Sequence, residues 1–252
     1  MSGTILVTGG TSGFGAATAQ HFSEQGWKVV ITGRRRERLD AMQEQLGGPE
    51  RVHTLAFDIA DRRATDAAMA GLPEAFADID VLVNNAGLAL GREPAHQCDL
   101  DEWETMVDTN IKGLLRVTRA VLPGMVERNR GHVVNLGSVA GNWPYPGGNV
   151  YCGTKAFVQQ FSRAMRSDLQ GTRVRVTNLE PGLCETEFSV VRFRGDEDKA
   201  KSLYEGNDPM LPEDIAEIIW WVTSLPARVN VNSLEVMPVT QSWAPLAVKP
   251  VR

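Results

Sequence analysis

Short apolar runs alternate along the chain with longer stretches in which apolar positions recur at three- and four-residue spacing. The short runs predict strands at 4–8, 28–32, 52–57, 81–83, 132–136, 174–179 and 231–236. The longer stretches predict helices at 13–25, 36–46, 62–70, 102–127, 150–169 and 213–224. Within the strand runs Val, Ile and Leu are nearly continuous, the pattern of strands buried on both faces. Such strand–helix alternation predicts an α/β fold, a doubly wound, Rossmann-like parallel sheet flanked by helices, in a single domain over 1–252. No Ser/Gly/Pro-rich spacer, charge block or repeat interrupts it.

In a sheet of this kind ligands lie beyond the carboxyl ends of the strands, so each strand-to-loop junction is a candidate site. The first reads Thr8-Gly9-Gly10-Thr11-Ser12-Gly13-Phe14-Gly15. Glycines there let backbone amides approach a pyrophosphate, which rests on the positive end of the following helix. The spacing is Thr-Gly-x-x-x-Gly-x-Gly instead of the usual Gly-x-Gly-x-x-Gly. At the second junction, Thr32-Gly33-Arg34-Arg35-Arg36, the acid that takes the ribose 2′-hydroxyl of NAD is missing. Guanidinium groups bind a 2′-phosphate through charge-assisted hydrogen bonds, whereas arginines at a helix N-terminus are unfavourable without an anion. Arg34 and Arg35 therefore point to NADP(H), with Arg38 as a third contact. After the third strand, Asp58 is placed to accept from an adenine amino group and Asp61 to cap the next helix. After the fourth, Asn84-Asn85-Ala86-Gly87 ends a buried strand in paired amides that need partners, in the sheet, on the cofactor, or both.

At 252 residues, 42% of them hydrophobic, the chain can bury a large core. Its net charge of -5 argues against nucleic acid or an anionic membrane as the main partner, while leaving room for a small anion held locally. No leader precedes the first strand-like run and no apolar run reaches membrane-spanning length, so a cytoplasmic protein is expected. Cys98, Cys152 and Cys184 form an odd, widely spaced set, as expected of free thiols in a reducing compartment. Cys152 has no histidine near it in sequence to activate it and reads as a small packed residue. His21, His53, His96 and His132 lack metal-ligand spacing, and Gly137-Ser138-Val139 is not a Gly-x-Ser-x-Gly nucleophile elbow.

The densest chemistry falls between Ser138 and Lys155. Tyr151 and Lys155, four apart, leave the same face of a helix. A free tyrosine titrates near pH ~10, and a neighbouring ammonium is expected to bring it down, so that Tyr151 exchanges a proton with a substrate oxygen near neutral pH. Ser138, at the end of a predicted strand, is placed to hydrogen-bond the same oxygen.

With Thr8-Gly9, Gly13, Gly15, Asn84-Asn85-Ala86-Gly87, Asn110, Ser138, Tyr151, Lys155 and Pro181-Gly182 in this order over nearly its whole length, the chain resembles the short-chain dehydrogenase/reductase family. The resemblance implies that Tyr151 is the catalytic acid/base and that Lys155 lowers its pKa and holds the nicotinamide ribose. It implies that Ser138 positions the substrate oxygen and that Asn110 supports a water linking Lys155 to solvent. Read from its helical surroundings alone, Asn110 is a kinking or packing residue. Cofactor contacts are expected from Gly9, Thr11, Ser12, Gly13, Phe14, Gly15, Arg34, Arg35, Asp58, Ile59, Asn85, Ala86, Gly87, Tyr151, Lys155, Pro181, Gly182, Leu183 and Thr186. The family also implies a homotetramer. Closer similarity is to its NADP-dependent 3-hydroxy acid dehydrogenases, carried by stretches such as Tyr145-Pro146-Gly147-Gly148-Asn149-Val150-Tyr151 and Met237-Pro238-Val239-Thr240-Gln241-Ser242. NADPH-dependent sulfoacetaldehyde reductases share much of that pattern.

The substrate loop is expected at about 183–212 and a tail at about 238–252. In the loop, Arg192 is the candidate clamp for a carboxylate or sulfonate, in preference to Arg194. The competing reading is a surface ion pair with Asp196, Glu197 and Asp198. Ser138, Tyr145, Tyr151 and Arg192 are the expected substrate contacts. Trp143 and Tyr145 either wall the pocket or sit in the core, and Trp220 and Trp221 are expected at a subunit contact with 231–236. The tail either reaches a neighbouring subunit or is loosely ordered. An NADP(H)-binding sensor on the same fold is the non-enzyme alternative, disfavoured because Ser138, Tyr151, Lys155 and Asn110 are all present.

Overall fold

Each of the Val/Ile/Leu runs becomes a strand of one sheet. In the computed structural model, which describes residues 2–243, these are β1 (Thr4–Val7), β2 (Lys28–Gly33), β3 (Val52–Ala56), β4 (Ile79–Asn84), β5 (Gly131–Leu136), β6 (Val174–Pro181) and β7 (Ser233–Val236). All pair in parallel, in the order β3-β2-β1-β4-β5-β6-β7. Alternate side chains of one strand face opposite sides, so both faces need cover. Ile5 and Val7 pack with Phe22 of α1 (Gly13–Glu24) and Ile215 and Ile219 of α10 (Pro212–Ser224), while Leu6 between them packs with Val117 and Val121 of α6 (Leu114–Glu127) and Met165 of α7 (Asn149–Asp168). Full burial of each such side chain contributes roughly 1.5–3 kcal/mol.

Helices α2 (Arg36–Gln45) and α3 (Arg62–Ala70) stand where the spacing predicts them, α3 capped by Asp61, whose carboxylate accepts from the Ala64 amide at 3.0 Å. A short α4 (Glu74–Ala77) precedes β4. The continuous helix expected at 102–127 is interrupted. Asp99 caps α5 (Leu100–Val107), accepting from the Asp101 amide at 2.9 Å, and a π-helical turn (Asp108–Gly113) joins α5 to α6. The loop after β6 carries α8 (Glu187–Arg192), capped by Thr186, and α9 (Glu197–Ser202), capped by Asp196. Of the tail expected at 238–252, the part from 244 onward lies outside the described residues. Among the described residues no helix is long and apolar enough to cross a membrane.

Strand order reverses direction between β1 and β4. The loops leaving these two neighbours run to opposite sides and open a crevice at their carboxyl ends.

Candidate active site

That crevice is a cleft of about 450 Å³. Gly9, at φ +65°, turns the chain out of β1 in a conformation that side chains rarely adopt. A Cβ on Gly15 would collide with the Gly9 carbonyl, so Gly15 serves the close packing of α1 beneath the turn and is absent from the cleft wall. Thr8 and Asn85 bind the two loops together. The Thr8 hydroxyl accepts from the Asn85 and Ala86 amides, both at 3.0 Å, and the Asn85 side chain donates to the Thr8 and Gly9 carbonyls at 2.9 and 3.1 Å. No acid lies in the first turn of α1, which leaves its positive end open to an anion. Thr11, Ser12, Gly13 and Phe14 line the cleft there.

Arg34, Arg35, Asp58 and Ile59 line one end. Both arginines are half-exposed or more, with only loose contacts: Arg34 lies 3.9 Å from Asp58, and Arg35 lies 3.9 Å from Glu187. Arg38 is engaged elsewhere, donating to both Glu187 oxygens at 3.0 and 3.1 Å. Glu187 also lines the cleft, a role that nothing local in the sequence discloses, because its partner is 149 residues away. The Asp58 carboxylate accepts from the Ala60 amide at 2.8 Å, leaving its second oxygen toward Arg34.

Gly87, Leu88, Ser138, Tyr151, Lys155, Pro181, Gly182 and Thr186 surround the other end. Tyr151 and Lys155, both 8% exposed, project from one face of α7, with the Lys155 Nζ 5.8 Å from the Tyr151 ring centre and donating to the Leu136 carbonyl at 2.7 Å. Burial dominates both. It raises the Tyr151 pKa above that of a free phenol, against the opposing pull of the Ser138 hydroxyl and the Arg192 charge. It also brings Lys155 down to about 8. The expected lowering of Tyr151 is therefore corrected: removing the phenol from water disfavours phenolate more than its neighbours favour it. Cys152 behaves as a packed thiol, its pKa raised by burial.

Asn110 is buried in the π-helical turn and its side chain is fully used. It accepts from the Leu88 amide at 2.8 Å and donates to the Leu88 carbonyl at 2.8 Å and the Thr154 hydroxyl at 3.1 Å. It thereby ties the loop after β4 to α7 one residue from Lys155. The paired amides divide their work. Asn85 holds the glycine turn, while Asn84 donates to Thr118 and Asn135, both at 2.8 Å, inside the sheet.

Arg192 and Tyr145 lie beside Tyr151, and neither lines the cleft. The Arg192 guanidinium sits 5.7 Å from the Tyr151 ring centre, donates to the Tyr145 hydroxyl at 2.7 Å and to the Gly91 carbonyl at 3.3 Å, and keeps one buried Nη2 without a partner. Arg194 pairs with Glu93 and Glu102 across the loop, at 2.9 and 2.6 Å, in place of the acids at 196–198. Leu183 also departs from expectation: its amide donates to the Gln241 side chain at 2.6 Å, and the residue is absent from the wall. Trp143 neither walls the cleft nor joins the core. Half-exposed, it donates to Glu235 at 2.9 Å and meets Trp243 edge-on. Trp220 packs inward against Phe22 and Trp27, leaving Trp221 exposed.

A glycine turn at a switch point, with arginines at one end of the cleft and a buried Tyr–Lys pair at the other, defines the class, a dinucleotide-binding α/β protein. The chain belongs to the short chain dehydrogenase family, whose profile matches residues 3–196. It is 60% identical over 245 residues to the NADP-dependent 3-hydroxy acid dehydrogenase YdfG of Salmonella typhimurium, covering 97% of this chain and 98% of that one. Identity to the serine 3-dehydrogenase of Rhizobium radiobacter is 59% over 244 residues, 97% of each chain. A solved serine dehydrogenase, the closed form complexed with NADP+, superposes with a TM-score of 0.96 at 55% identity, over 98% of this chain and all of that one (100%).

Proposed function

We propose that the protein is an NADP-dependent dehydrogenase that interconverts a small 3-hydroxy acid and its carbonyl form. The observation that carries this reading is a single cleft with Arg34 and Arg35 at one end and Ser138, Tyr151 and Lys155 at the other. Relatives of more than half identity named for this activity support it. The bound cofactor supplies a hydride acceptor or donor at its nicotinamide. The N-terminal end of α1 takes its pyrophosphate, and Arg34 and Arg35 take the 2′-phosphate.

Tyr151 starts as a neutral phenol, since burial keeps its pKa high. In reduction it gives its proton to the carbonyl oxygen, and in oxidation it receives the proton of the hydroxyl. Ser138 holds the same oxygen through its hydroxyl. Lys155 is anchored on Leu136 and stabilises the phenolate that forms when the proton leaves, while its other hydrogens are free for a ribose hydroxyl. Asn110 keeps the loop after β4 and α7 in register behind this group.

Arg192, beside the Tyr151 ring but not on the cleft wall, clamps a substrate carboxylate that reaches past Tyr151 toward it. Two of its donors are fixed by Tyr145 and Gly91, which leaves the buried, unpartnered Nη2 as the open one. Tyr145 thus orients the clamp from behind. The exposed Trp221, Trp243 and Val239 supply apolar surface for assembly as a homotetramer, and three free thiols suit a reducing, cytoplasmic setting.

The test is NADP+ reduction with 3-hydroxypropionate, serine and allo-threonine beside isethionate and 1-propanol. The 3-hydroxy acids are expected to be the preferred substrates. Arg192→Ala is expected to raise KM for the acids ~10–100-fold, the worth of a lost charge-assisted hydrogen bond, and to leave 1-propanol unchanged. An equal effect on charged and uncharged substrates removes the clamp, and a preference for isethionate moves the substrate from carboxylate to sulfonate.

A further inference from the structure

Glu180 lies on β6 immediately before Pro181 and is 3% exposed, yet its hydrogen-bond partners are neutral. One of its oxygens accepts from Asn178, from Gln159 Nε2 at 3.0 Å and from the Ser233 hydroxyl at 2.6 Å; the other accepts from Asn142 Nδ2 at 2.8 Å. Gln159 Nε2 donates in addition to Asn142 Oδ1 at 2.6 Å. Glu180, Asn142 and Gln159 thus close a three-membered ring of hydrogen bonds joining β6, the turn that follows β5, and α7.

Two members of the ring are tied to the proposed chemistry. Asn142 ends the 3-10 turn (Val139–Gly141) that Ser138 begins, where the Ser138 hydroxyl accepts from the Ala140 amide at 3.1 Å. Gln159 lies one helical turn beyond Lys155 on α7, against which the 3-10 turn packs. Pro181 lines the cleft, and its carbonyl lies 3.5 Å from the Ser138 hydroxyl.

We infer that Glu180 is a positioning residue that sets the Ser138 hydroxyl relative to Tyr151 through the polarity of this ring. Gln159 presents a single nitrogen to both neighbours, so Asn142 must offer it oxygen and turn its nitrogen to residue 180. Residue 180 then has to accept at both of its positions, which a carboxylate does and an amide cannot. In Glu180→Gln, every combination of amide flips leaves one edge of the ring mismatched. Adding Asn142→Asp cures the mismatch, because a carboxylate there accepts both from Gln159 and from the amide introduced at position 180. The charge moves across the ring and the net charge of the chain is unchanged.

The inference rests on the assignment of Ser138 and Tyr151 to the reacting oxygen. Turnover surviving in Ser138→Ala would remove that assignment, whatever Glu180 does. With it in place, Glu180→Gln and Asn142→Asp are each expected to lower kcat ~10–100-fold, the range for a catalytic group displaced by a fraction of an ångström to one. The Kd for NADPH, read from its fluorescence, is expected to stay within about twofold, because the groups offered to its pyrophosphate and 2′-phosphate, the N-terminal end of α1 and Arg34 with Arg35, make no contact with the ring. The double variant Glu180→Gln/Asn142→Asp is expected to recover to within about threefold of wild type, a strongly non-additive cycle. Glu180→Gln added to Ser138→Ala is expected to cost nothing further. If Glu180→Gln does not fold, Asn142→Asp and the double variant carry the same comparison. Folded single variants with wild-type kcat, or a double variant no better than the singles, would overturn the inference.

Discussion

Burial moves Tyr151 and Lys155 in opposite directions, one held as a phenol and the other eased toward neutrality. For Lys155 the shift has a stability consequence. Its pKa is about 8 in the fold against 10.5 when free, so between these values the unfolded chain binds more protons than the native one. Stability from this group therefore rises with pH through that window and carries its full penalty below about 8. Lys155→Met removes the dependence, so the unfolding free energy of wild type minus that of the variant is expected to rise by about 2 kcal/mol between pH ~7.5 and ~9.5 in urea titrations. A flat difference would mean that the lysine is better solvated than its burial indicates. At the other end of the cleft, Arg34→Ala/Arg35→Ala is expected to weaken NADP+ binding ~10–100-fold while leaving NAD+ nearly unchanged, read by calorimetric titration. Equal losses would point to a pyrophosphate role. These arginines were legible because three cations at a helix start demand an anion. Glu187, Glu93 and Glu102 were not, because each meets its arginine across more than ninety residues of chain.

The strands were legible because apolar β-branched runs that are too short for helices have few other solutions, and the sheet's register adds what no single run discloses. Asn84, Asn135 and Asn178 stand at one level on β4, β5 and β6. Their amides form a polar row that reaches Thr118, Ser162 and Glu180. Three strand ends reading Val-Asn-Asn, Val-Asn-Leu and Thr-Asn-Leu carry this signal once the strands are laid side by side. The interruption of 102–127 was hidden, because a π-helical turn shifts the apolar pattern by a single residue and both halves remain amphipathic. Within that turn, Asn110 spends its amide on the Leu88 backbone. Asn110→Ala strands the Leu88 amide and carbonyl, and is expected to cost about 2 kcal/mol of unfolding free energy and to weaken NADPH binding, since Leu88 lines the cleft. A variant as stable as wild type would show that the turn holds without its side chain. Helices α8 and α9 escaped the periodicity reading because six residues each are too few to display it.

Seen as one object, the molecule is a parallel sheet whose order reverses beside β1, and most of the chemistry gathers at that reversal. Motifs scattered from Gly9 to Thr186 converge there because every strand delivers its loop to the same edge. The order of junctions along the chain therefore pointed to this cleft, where the glycine turn and the Tyr–Lys pair come together. It could not supply the pairing of Arg192 with Tyr145 or of Asn142 with Glu180, because each joins elements distant in the chain. The proposed chemistry depends above all on Tyr151 moving the proton while the rest of the cleft binds and orients. Tyr151→Phe isolates that step, because it removes one hydroxyl and keeps the ring. NADPH is expected to bind with unchanged Kd, and kcat for a 3-hydroxy acid to fall by ~10²–10⁴-fold, the contribution of a positioned acid/base. Turnover within a few fold of wild type would rule Tyr151 out as the acid/base and send the search for the proton donor elsewhere in the cleft.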